Sequence, residues 1–128
     1  MPISCADITG VARLLMEVET EPAHLSAVSR FFYGSMHRCN GWLDGLPGMA
    51  SVAGFAGGTH QDVVNKLTHV DRQCTDEQKK RGRRLAALLG IMRQRRVTAD
   101  YYISETLDRR EIFQQVADSG TVFGLCDI

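Results

Sequence analysis

The sequence predicts an all-α fold, an antiparallel up-and-down bundle of about five helices, on three observations. Apolar residues recur at helical spacing in several separate stretches. No stretch alternates apolar and polar residues as a half-buried strand would, and no Asn-Gly or Asp-Gly pair stands between β-branched runs to turn a hairpin. The 128 residues, 44% of them hydrophobic, suit one domain with a real core, and no repeat or linker divides them.

Asp7 is placed to cap a first helix over about Ile8 to Val18, with Ile8, Val11, Ala12, Leu15 and Val18 as its apolar stripe. Pro22 suits the first turn of a second helix, from about Ala23 to Leu43. There Val28, Phe31, Phe32, Ser35, Met36, Cys39, Trp42 and Leu43 form one inward face, while Arg30, Tyr33 and His37 turn away from it. The glycine-rich stretch from Gly45 to Gly58 predicts a loop longer than most connections. Thr59 then caps a third helix, Gln61 to about Val70, with Val63, Val64, Leu67 and Val70 inward. Thr75-Asp76-Glu77-Gln78 has capping-box form and opens a fourth helix, which carries Leu85, Leu88, Leu89 and Met92 and ends near Arg95 before a polar turn. Ser104 to Asp108 caps the last helix, striped by Ile112, Val116, Ser119 and Phe123.

The formal charge is zero, yet Lys79, Lys80, Arg81, Arg83, Arg84, Arg93, Arg95 and Arg96 follow one another with no acidic residue among them. Such a block suits a polyanion or an acidic protein surface, and equally a solvated helix face. Arg96 differs from the rest. If the fourth helix continues, it lies one turn beyond Met92 on the apolar side, where a guanidinium must meet a carboxylate, a subunit interface or an anion. Asp100 and Tyr101 are its nearest candidate neighbours. Cys5, Cys39, Cys74 and Cys126 are scattered without a CxxC pair and read as free thiols, and no His/Cys spacing fits a metal, so no cofactor is expected. No apolar run approaches a membrane span and the start lacks a signal-peptide pattern, which predicts a cytoplasmic protein without a membrane partner.

Four segments resemble the small all-helical HEPN-domain proteins, in order and with similar spacing. Arg96-Val97-Thr98-Ala99-Asp100-Tyr101 looks like the Arg-x4-Tyr form of the motif near their end, and Arg30-x-x-Tyr33-x-x-x-His37 like their aromatic-rich helix. Gly58-Thr59-His60 resembles the segment opening their middle helix, and the match extends from the first helix to about Phe123. Members with ribonuclease chemistry usually carry histidine where this chain has Tyr101, and a polar residue where it has Val97. The resemblance implies a HEPN-type bundle, a homodimer whose arginine motifs face one another across a groove, and action on RNA in toxin–antitoxin or defence systems, often beside a nucleotidyltransferase-fold partner protein.

Two function classes follow. The first is a metal-independent endoribonuclease with Arg96 stabilising the phosphorane, Tyr101 and Asp100 as further catalytic residues, and Arg93, Arg95, Arg30 and His37 as RNA contacts. Its difficulty is the base: a tyrosine with an ordinary pKa near 10 gives a proton more readily than it takes one at neutral pH, and arginines beside Asp100 favour its carboxylate form. The second is a non-catalytic module in which Arg96, Asp100 and Tyr101 form a structural network and the domain binds RNA, a nucleotide or a partner protein.

Overall fold

The first helix, α1 (Cys5–Glu17), begins earlier than Asp7 predicts because Ser4 is the cap and Asp7 is the third helical residue. The Ser4 hydroxyl accepts from the Asp7 amide at 3.1 Å and the Asp7 carboxylate accepts from the Ser4 amide at 2.9 Å, a reciprocal box that satisfies two otherwise orphaned donors. The backbone bond from Ser4 also holds the Asp7 carboxyl below its ordinary pKa. The computed structural model describes residues 3–49, 59–101 and 107–127. Among them all regular structure is helical, with α2 (Glu21–Asp44), α3 (Thr59–Thr68), α4 (Asp76–Tyr101) and α5 (Arg109–Cys126) following α1.

Thr20 caps α2, with Pro22 in its first turn. Thr75 and Gln78 close the capping box that opens α4, their two bonds measuring 2.8 and 3.1 Å. Asp108 caps α5 by accepting from the Glu111 amide at 2.8 Å; the expected cap residues Ser104 to Thr106 lie outside the described residues. The main correction concerns the end of α4. It does not stop near Arg95 but runs on to Tyr101, since residues 93–101 contain neither Gly nor Pro to end it. The expected polar turn is therefore helix, and Arg96 stands one turn before the adjacent Asp100 and Tyr101.

Helix α2 is the hub and packs against all four others, whereas α1, among the described residues, lies with its backbone close to α2 alone. Gly34 lets α1 approach: a methyl group there would meet Thr9 Cγ2 at 2.5 Å. Tyr33 meeting Arg96 and Ser29 meeting Asp100 set α4 antiparallel to α2. Contacts of Val28 with Gln115, Ser35 with Ser119 and Arg38 with Cys126 make α5 parallel to α2.

Direction also separates α3 from the expected up-and-down order. His60 at its start lies against Phe32, while residues just past its end meet the segment after α2, the Asp71 amide donating to the Met49 sulfur. Helix α3 thus runs the same way as α2.

One core draws on every helix, with Ala12, Phe31, Phe32, Cys39, Leu43, Leu67, Leu85, Leu89, Met92 and Val122 at 2% exposure or less. Leu88, expected in that core, is half-buried. In α1 the inward residues are Thr9 and Ala12, and Val11 and Val18 are exposed, because packing on a single neighbour buries only a narrow stripe.

Candidate functional site

Met92 is fully buried, and the unbroken helix carries Arg96, one turn on, to the same side. There its guanidinium lies between two tyrosine rings, with Cζ 5.1 Å from the ring centre of Tyr33 and 5.2 Å from that of Tyr101. One Nη donates to the Tyr33 hydroxyl at 2.5 Å. Nε lies 2.9 Å from an Asp100 oxygen, yet its N–H finds no hydrogen-bond acceptor, so the contact is an ion pair whose N–H points aside. Ser29 donates to that same carboxylate oxygen at 3.0 Å. Burial works against the charge on Arg96, but Tyr33, Asp100 and Tyr101 outweigh it and raise its pKa, so the side chain is a permanent cation.

Tyr101 covers the outer side of this cation and is itself 66% exposed. On the other flank, the His60 ring stands edge-on to Phe32 with centres 6.4 Å apart. Burial, followed by the charges of Arg93 and Arg96, depresses the His60 pKa, which leaves a neutral imidazole at neutral pH. Arg93 is exposed on that flank. Across the cluster, Ser26, Ser29, Arg30, Tyr33 and Asp100 line an open cavity of about 240 Å³. It continues into one of about 430 Å³ that shares Ser26 and Asp100 and adds Glu21, Pro22, Leu25 and Ala99.

The expected residues therefore divide. Arg96, Asp100, Tyr101, Arg30 and Arg93 gather on one face made by α2, the start of α3 and the second half of α4. Arg95 turns the other way, where its guanidinium donates to Asp118 at 2.6 Å and Gln115 at 3.0 Å. His37, one turn beyond Tyr33, is exposed and stands outside the residues that touch Arg96 or line the cavity. Tyr33, Ser29 and His60 complete the cluster and were not singled out as site residues by sequence. Tyr33 carried a signal, its i+3 spacing from Arg30 on a polar face and its place in the aromatic-rich segment; His60 carried its place near a helix start in the Gly58-Thr59-His60 segment.

Of the partners open to Arg96, a carboxylate, a subunit interface or an anion, Asp100 of the same chain supplies the carboxylate. Chemically the face offers a shielded cation, an exposed aromatic ring, two solvent-facing arginines and a neutral imidazole. Comparison of the chain with family models, with curated proteins and with solved structures returned no match.

Proposed function

We propose that this chain is a HEPN-like RNA-binding module that meets its ligand with the face around Arg96. In this reading the Arg96–Asp100–Tyr33 network is a rigid platform, Tyr101 stacks a base on its open side, and Arg93 and Arg30 contact phosphates. The observation that carries it is the exposed Tyr101 ring backed by a half-buried, permanently charged arginine. Single-stranded nucleic acid is recognised by that combination of aromatic surface and cations, and a merely solvated helix end gains nothing from it. Asp100 fits the non-catalytic reading, because Arg96 and Ser29 already occupy its carboxylate. Two-fold pairing of copies near Tyr101, and a nucleotidyltransferase-fold partner protein, belong to the same proposal through the HEPN resemblance alone.

A second reading, metal-independent RNA cleavage, is favoured by His60. A neutral imidazole beside two arginines is suited to take the proton of a 2′-hydroxyl while Arg96 or Arg93 stabilises the charge that builds on phosphorus. The Tyr33 hydroxyl, hydrogen-bonded by Arg96, is a candidate donor to the leaving 5′-oxygen.

Fluorescence anisotropy of a labelled single-stranded RNA over a salt series, with chelator present, tests both. Binding that weakens with salt and with Tyr101→Ala supports the module, and absence of binding overturns it. Strand scission in the same samples, lost in both His60→Gln and Arg96→Ala, selects the cleavage reading.

A further inference from the structure

Helix α4 carries more positive charge than the Arg96 cluster uses. Of its cations, Arg81 pairs with Glu77, Arg95 with Asp118 and Arg96 with Asp100. Lys79, Lys80, Arg83, Arg84 and Arg93 have no ion-pair partner among the described residues, and all but the half-buried Lys79 are exposed. The helix sorts these five by side. Positions seven apart return to nearly the same side and positions four apart lie close to it, so Lys79, Arg83, Gly90, Val97 and Tyr101 form one strip, with Arg93 beside it. Lys80 and Arg84 belong to the neighbouring side, where with Leu125 of α5 they line an open cavity of about 290 Å³.

The strip turns away from the buried Leu85, Leu89 and Met92, and Gly90 leaves its middle bare. A Cβ added there would meet nothing within 4 Å, so packing does not call for a glycine, which is destabilising inside a helix. What the missing side chain provides is room for another chain to lie against the helix between the cations on either side. We infer that the strip is the track of an extended single strand of RNA, with a base on Tyr101 and phosphates on Arg93, Arg83 and Lys79; the inference rests on the RNA-binding reading of the Arg96 face. A single strand fits because a base must be unpaired to stack on Tyr101. From Lys79 to Tyr101 the helix rises about 33 Å at about 1.5 Å per residue. A strand stacked at about 3.4 Å per nucleotide covers that span with about ten, and one stretched to twice that rise with about five. A fragment of about four nucleotides, roughly 20 Å at that stretch, passes Arg93 but falls short of Arg83.

Anisotropy titrations of the folded full-length chain with labelled oligouridine of about four and about twelve nucleotides, each over a salt series, test the track. The slope of log affinity against log salt should be steeper for the long strand by about 1.4, two further phosphates at about 0.7 each. Arg83→Ala should halve that difference and leave the short strand unchanged. Gly90→Glu, which sets a carboxylate in open space on the strip and replaces a poor helix former, should abolish it. Arg84→Ala, on the neighbouring side, should keep the full difference. Equal slopes for the two lengths would overturn the track alone and leave its cations to an acidic protein surface, with binding at Tyr101 intact. Equal losses in Arg83→Ala and Arg84→Ala would overturn it in favour of a diffuse field. Tighter binding of the long strand once annealed to its complement would overturn the single-strand assignment. Absence of binding by both lengths would remove the track together with the RNA-binding reading beneath it.

Discussion

Arg95 and Arg96 are consecutive, and each keeps about the same small exposure, 14% and 15% of its side chain. Their partners differ. Asp118, which binds Arg95, is 11% exposed, while Asp100 beside Arg96 is 30% exposed. Around Arg95 the hydrogen-bonding partners form an interior polar network, although its side chain also edges an open cavity of about 340 Å³ with Gln94 and Glu111: Gln115 is fully buried, accepts from Arg95 and donates to the carbonyls of Val28 and Met92, and Gln114 donates to Asp118. Around Arg96 the network opens on one side, where Tyr101 and the cavity face solvent. The residue type is thus no guide to the role. What separates an internal brace from a surface that can meet a ligand is whether the partners, rather than the arginine, reach water.

The comparison breaks most visibly on the Arg95 side. Asp118→Ala leaves a buried guanidinium with a single neutral acceptor, and removing one member of a buried pair costs about 3–5 kcal/mol. Urea denaturation should show a loss in that range, with RNA binding of the surviving folded protein unchanged. A loss below about 1 kcal/mol, the size of an exposed pair, would show that the network does not brace α5 against α4. Replacing both members, as in Arg95→Met with Asp118→Leu, should recover most of the loss, because no charge is then left buried and unpaired.

Tyr101→Ala tests the open side and should act on binding instead of folding. Loss of one stacking surface costs about 1–3 kcal/mol of RNA affinity, while an exposed ring contributes little to stability. Anisotropy and urea titration of one preparation should separate the two. A drop in stability as large as that of Asp118→Ala would place Tyr101 with the brace.

Asp100→Asn sharpens the contrast further. The ion pair to Arg96 is partly exposed, so its loss should cost about 1 kcal/mol or less. It also removes the negative charge that offsets Arg96, so RNA affinity should rise. Reduced affinity would instead assign the carboxylate to contacts with the ligand.

These distinctions trace the limit of what sequence conveys. Spacing placed the core of α2, Pro22 placed its start to within two residues, and cap chemistry placed the start of α4, since all are local. The phase of Arg96 on the inward side was legible as well, for the same reason. The interior network was not. Asp118 and Gln115 look like solvent-facing positions in a helical pattern, and only packing against Val28 and Met92, far away in the chain, makes them interior. The direction of α3 was hidden for a related reason: a long glycine-rich connection is compatible with either direction, and the contacts of Phe32 with His60 and of Met49 with Asp71 settle it. His60 joined the cluster through that direction, which its place in the Gly58-Thr59-His60 segment at a helix start could not by itself indicate.

The smallest expected effect concerns His60 and reports on both sides of the comparison at once. In the unfolded chain its imidazole takes up a proton near the ordinary value of 6.5, whereas in the folded chain burial, Arg93 and Arg96 delay protonation to lower pH. The unfolded state therefore binds more protons in the interval between those two values, so stability rises with pH there. The contribution is full above 6.5, is lost as pH falls through the folded value, and stops changing once both states are protonated. His60→Gln should remove this part of the pH dependence of stability and leave the rest. RNA affinity should move the opposite way, since protonating His60 adds a cation beside Arg93 and Arg96. Anisotropy and urea midpoints measured on both proteins over the same pH series give the two slopes. Equal slopes with and without His60 would detach it from the arginine cluster, and with it the imidazole on which the cleavage reading depends.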